Sequence, residues 1–60
     1  MFDLDKFVND QRKLYELQNR LSRHGYDGTA YDIAKADSKE ELKALVKKGL
    51  RQVWEAEDDY

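Results

Sequence analysis

Proton transfer near neutral pH is most often assigned to histidine, and this 60-residue sequence has one, His24. It falls on the apolar side of a helical pattern, close to that pattern's end. There a C-terminal carbonyl or the helix dipole gives it a structural role in place of a catalytic one. A structural zinc site needs four nitrogen or sulfur ligands. The chain offers no cysteine and no second histidine, and Asp27 alone does not complete a set. Asp27, Asp32 and Asp37 recur every five residues, which scatters them around a helix and does not match a calcium-loop pattern. Gly25 and Gly28 belong to no phosphate-cradling motif and are explained by a turn. An enzyme also needs a pocket with convergent polar groups, for which so thin a bundle has little room. The expectation is a non-catalytic protein with no catalytic residues, no metal ligands and no cofactor.

Two other groupings point to binding. Lys39, Lys43, Lys47 and Arg51 recur every four residues, with Lys48 alongside, and so share one helix face. Such a ladder could follow a phosphate backbone, with Lys13, Arg20 and Arg23 adding charge elsewhere. The stretch from Arg12 to Arg51 carries ten basic against six acidic residues, whereas both ends are acidic and the formal net charge is -2. An acidic chain with an acidic tail favours the plainer explanation, a solvated helix face. The second grouping is aromatic. Tyr15, Tyr26, Tyr31 and Trp54 are many for this length, and tyrosine and tryptophan are common interface anchors. Trp54 lies toward the edge of its stripe and is expected to be partly exposed. A patch of Trp54, Tyr15 and neighbouring leucines would make a protein-binding surface or a dimer seam. Gln11 and Gln18 lie inside an apolar stripe. They mark either the place where a small core reaches water or a polar pair that fixes the register of a helix interface.

The elements that position these residues follow from spacing. Ser38 and Glu41 form a capping box that starts a helix at Lys39. Leu42, Leu45, Val46, Leu50 and Val53 then give it one apolar stripe. Gly49 lies in that stripe at a helix cost of about 1 kcal/mol, which close approach of another backbone would explain. At the other end Asp3 caps a first helix, and Phe2 and Phe7 bracket the cap as a hydrophobic staple. The stripe of this helix is Leu4, Phe7, Val8, Leu14, Tyr15, Leu17 and Leu21. Leu4, Phe7, Leu14 and Leu21 fit a heptad whose remaining seam positions are Gln11 and Gln18. Gly25 ends the helix as a left-handed cap, with Tyr26 placed to pack back on Leu21. Asp27-Gly28 reads as a turn. Thr29 with Asp32 resembles a weaker capping box for a short helix that buries Tyr31, Ile33 and Ala34. A break before Ser38 is preferred to one kinked helix from Thr29 to Trp54. Glu55, Glu57, Asp58 and Asp59 oppose the macrodipole, so the last turn is expected to fray and Tyr60 to be disordered.

The run Leu21-Ser22-Arg23-His24-Gly25, and after it Lys35-Ala36-Asp37-Ser38-Lys39-Glu40-Glu41-Leu42-Lys43-Ala44-Leu45, resembles the helix junctions of albumin-binding three-helix modules from bacterial surface proteins. The resemblance covers about half the chain. It implies a three-helix architecture, and neither a ligand nor binding residues are carried over from it.

The resulting expectation is one all-α domain over residues 1–60, with a long helix at about 4–24, a short connecting helix at about 30–36 and a long helix at about 39–56. The arrangement is antiparallel and hairpin-like. A chain this short buries only about 60% of its unfolded surface, and there is no cysteine to staple it. Homodimerisation would compensate. Without cysteine, a basic leader or an apolar run of about 20 residues, a soluble cytoplasmic protein is expected. Met1 suggests a complete small reading frame, and free-standing helical proteins of this size include phage and plasmid products. The function expected is binding to another protein or to itself, as an accessory or regulatory factor, through Gln11, Tyr15, Gln18 and Trp54. The alternative is nucleic-acid binding through Lys39, Lys43, Lys47, Lys48 and Arg51. No membrane partner is expected.

Overall fold

The computed structural model describes Phe2 to Asp58 as four helices: α1 (Leu4–Val8), α2 (Gln11–Arg23), α3 (Asp27–Lys35) and α4 (Lys39–Asp58). The all-α class holds, and no strand occurs among the described residues.

Asp3 caps α1 by accepting the Lys6 backbone N–H at 3.2 Å. The rings of Phe2 and Phe7 meet across that cap with centroids 5.5 Å apart, which is the expected staple. The single long first helix, however, is two. The Asn9 side-chain amide donates to the Asp5 carbonyl at 2.9 Å and so closes α1. One Asp10 carboxylate oxygen accepts the backbone N–H groups of Arg12 and Lys13 at 3.1 and 3.4 Å, which opens α2. Asparagine and aspartate offer the backbone these local bonds in competition with a continuous ladder. Here the adjacent pair wins, and the heptad read through it does not exist as one helix.

At its far end α2 closes as expected. Gly25 takes a positive φ of 89°, its N–H donates to the Ser22 carbonyl, and the Tyr26 N–H donates to the Leu21 carbonyl at 2.7 Å. That is the Schellman bond pair. The next helix begins earlier than its sequence signals indicate. The Tyr26 carbonyl already accepts the Ala30 N–H, so α3 starts at Asp27 and contains Gly28 within its first turn. Thr29 is therefore not a cap but a buried residue of α3. Ile33 is buried as expected, whereas Tyr31 is 65% exposed and Ala34 is exposed. Tyr31 instead lies under the Lys35 ammonium, 5.1 Å from the ring centroid.

The break before α4 is real, and the Ser38 hydroxyl accepts the Glu41 N–H at 3.2 Å. The helix runs through Asp58, beyond the expected end. Glu57, expected to loosen the last turn, accepts Arg20 Nη2 at 3.0 Å and lies 3.4 Å from His24 Nε2. The Arg20 guanidinium on α2 thus offsets the unfavourable dipole position, with the His24 ring at the end of that helix beside it. The expectations for Asp59 and Tyr60 lie outside the described residues.

The hairpin lies between α2 and α3, since Ile33 and Ala34 return alongside Leu14, Tyr15 and Gln18. Across the core, Leu17 and Leu21 approach Gly49 while Arg20 and His24 reach Glu57, so α4 advances in the same sense as α2. The core consists of Val8, Leu17, Leu21, Ala30, Ile33, Val46 and Val53, of which Leu21, Val46 and Val53 are fully buried. Leu42, Leu45 and Leu50 pack against it half-buried. Burying such side chains is worth about 1.5–3 kcal/mol each, and the set is small. Gly49 is explained by close approach, though of side chains and not of backbone. A Cβ there would lie 3.0 Å from Leu21 Cδ1 and 3.5 Å from both Ile33 Cδ1 and Leu17 Cδ2.

Candidate interaction surface

The residues considered for chemistry are not brought together. The His24 ring lies 3.4 Å from the Glu57 carboxylate, not against a helix carbonyl, beside the exposed Arg20–Glu57 ion pair. Among the described residues no group of three or more histidine, aspartate or glutamate side chains is placed to hold a metal ion.

The binding candidates divide into two depressions. Gln11, Tyr15 and Gln18 of α2 share the first with Leu14, Ile33 and Ala34. Gln11 is exposed and Gln18 half-buried, so both sit where the core reaches solvent. Tyr15 is 66% exposed even though its position continues the apolar stripe. Trp54 lies in the second depression with Phe2, Lys47, Arg51, Glu55 and Asp58. Trp54 and Tyr15 therefore do not form the single patch expected of them.

The second depression is built almost entirely by α4. Positions 47, 51, 54, 55 and 58 follow three- and four-residue steps, and a 3.6-residue helix stacks them on its outer face, opposite Val46, Gly49 and Val53. Trp54 is 56% exposed. Among the described residues, Phe2 supplies the one contribution from elsewhere. Placed just before the Asp3 cap, it packs its ring against Phe7 and remains 53% exposed. Local spacing assigns Phe2 to the staple and to nothing else. The signal for its exposure is its place outside the helix, ahead of the Asp3 cap.

The basic ladder is not uniform. The Lys43 ammonium bonds the Asp5 carboxylate, tying α1 to α4. That hydrogen bond, reinforced by the Lys43 charge, holds the Asp5 carboxyl below its ordinary pKa and raises that of Lys43. Lys47, Lys48 and Arg51 line a further shallow depression, and among the described residues none of them has a salt-bridge partner. The outer face of α4 thus runs from a basic segment at 47–51, past Trp54, to acidic Glu55 and Asp58.

Among the described residues no helix is long and apolar enough to cross a membrane. Compared with known proteins, the chain matches no family model and has no significant match to a curated protein or a solved structure.

Proposed function

We propose that this is a non-catalytic protein-interaction module, of the accessory or regulatory kind, whose contact face is the outer surface of α4 around Trp54 and Phe2. The observation that carries the reading is the exposure of a tryptophan and a phenylalanine, 56% and 53%, in one depression. The core is too small to cover them, and large aromatic side chains flanked by charge are what protein interfaces use as anchors. The expected setting is the cytosol, on the strength of a cysteine-free composition.

Nucleic-acid binding is the rival, supported by the cluster of Lys47, Lys48 and Arg51. Two features weigh against it. Lys43 is engaged by Asp5, and Glu55 and Asp58 close the other end of the track with like charge to phosphate. A photo-cross-linking side chain in place of Trp54, in the full chain and in host extract, separates the two readings. The expected product is a cross-link to protein that an exposed control position, Glu40, does not give. Cross-linking to nucleic acid would establish the rival, and equal cross-linking from both positions would contradict the proposed face.

A further inference from the structure

We infer that the occupant of the α4 outer face is a second copy of this chain, docked antiparallel about a two-fold axis at the level of Val53. The inference rests on the proposed contact face and adds its partner and register. A two-fold interface must be self-complementary, with residue i meeting j and j meeting i. The charges on this face satisfy that condition. Arg51 lies two residues before position 53 and Glu55 two after it, whereas Lys48 lies five before and Asp58 five after. In an antiparallel pair with its axis at 53, Arg51 of each copy stands level with Glu55 of the other, and Lys48 level with Asp58. A parallel pair would set each charge against its own kind, which disfavours that alternative.

The aromatic groups fit the same register. Trp54 is one residue from the axis, so at about 1.5 Å of rise per residue the two indoles lie about 3 Å apart along the helix direction. A two-fold axis perpendicular to the helices keeps both indoles on the same side of the pair, where Phe2 borders the depression. The dimer would cover Trp54 and Phe2, two of the four large aromatic side chains that the monomer leaves exposed among the described residues. It leaves Val46, Gly49 and Val53 on the core side of α4, so the fold of each copy is unchanged. With one helix face per copy, the interface falls at the small end of the range, below about 1,200 Å² in total, and the complex is weak and salt-sensitive.

Sedimentation equilibrium over a wide concentration range tests this on the full chain. The native protein should approach twice the chain mass at high concentration and low salt. R51E and E55R should each weaken association about tenfold or more, because each places like charges opposite one another twice. The double variant R51E/E55R restores opposite charges in both pairs and should return to within a few-fold of native. Both positions are exposed, and far-ultraviolet circular dichroism checks that the variants remain helical. A single-chain mass at every concentration, or a double variant no better than either single one, overturns the dimer. Either result is independent of cross-linking at position 54, which tests the face itself.

Discussion

Gly49→Ala sets two effects of known sign against each other at the centre of the fold. In an open helix position, alanine is favoured over glycine by about 1 kcal/mol. At position 49 the added Cβ would lie 3.0 Å from Leu21 Cδ1 and 3.5 Å from Leu17 Cδ2 and Ile33 Cδ1. Leu21 is fully buried, and Leu17 and Ile33 are buried with it, so none has open space into which to retreat. Overpacking of this kind costs about 1–3 kcal/mol. The net expectation is a loss of about 0–2 kcal/mol, against a total of roughly 3–9 kcal/mol for a chain of this length. Ala44, exposed on the same helix, calibrates the propensity contribution: Ala44→Gly should lose about 1 kcal/mol with no packing effect. Urea unfolding followed by circular dichroism, with Trp54 emission as a second probe, measures both. Gly49→Val, with a larger branched side chain, should lose more than Gly49→Ala. If Gly49→Ala instead gains what Ala44→Gly loses, α4 does not approach α2 and α3 as closely as described.

Other substitutions probe the ends of the helices. Gly28→Ala should gain about 0.5–1 kcal/mol, since it lies in α3 with nothing within 4 Å of the added Cβ. Gly25→Ala should lose about 1–2 kcal/mol because its φ of 89° strains any residue with a Cβ; the two melts should move in opposite directions. Asp10→Ala removes the cap of α2 and should lose about 1 kcal/mol, with Asp10→Asn retaining most of it in the same urea titration. Asp5→Asn should be less stable than native across the pH range in which both partners of the Asp5–Lys43 pair are charged. The lowered Asp5 pKa contributes stability above its unfolded value of about 3.9, lost as pH falls through the folded value, while the raised Lys43 pKa contributes below about 10.4, lost as pH rises through its folded value. Melting temperatures of the two proteins should therefore converge in strong acid, and a gap that persists there would mean that the pair is not its source.

Legible in the sequence is whatever depends on neighbours a few residues apart. The Asp3 cap, the Gly25 closure and the stripe of Leu42, Val46 and Val53 are local patterns that appear as read, and of the Ser38–Glu41 capping box the serine half is formed. Local patterns mislead where two of them compete. The heptad runs straight through Asn9-Asp10, and periodicity alone gives no weight to the capacity of these side chains to bond the backbone. Asp27-Gly28 and Thr29 have the composition of a turn and a cap, yet the Tyr26 carbonyl has already started the helix. The anchoring of Glu57 by Arg20 and His24 joins residues more than thirty positions apart, and no spacing rule reaches that far. The same limit applies to the surface. Gln11, Tyr15 and Gln18 lie one or two turns apart on a single helix and do share a depression, while the pairing of Trp54 with Phe2 exists only once the helices have packed.

Trp54 is the sole tryptophan of the chain, so its emission reports on the proposed contact face without a label. Acrylamide quenching of that emission, measured in low salt from dilute to concentrated protein, tests the face and its occupant together. The indole should be freely quenched in dilute solution and become protected, with emission shifted to the blue, as concentration rises, and added salt should reverse the protection. A quenching constant that is already low in the most dilute sample would place Trp54 inside the fold, and one that stays high at every concentration would leave the face without its second copy.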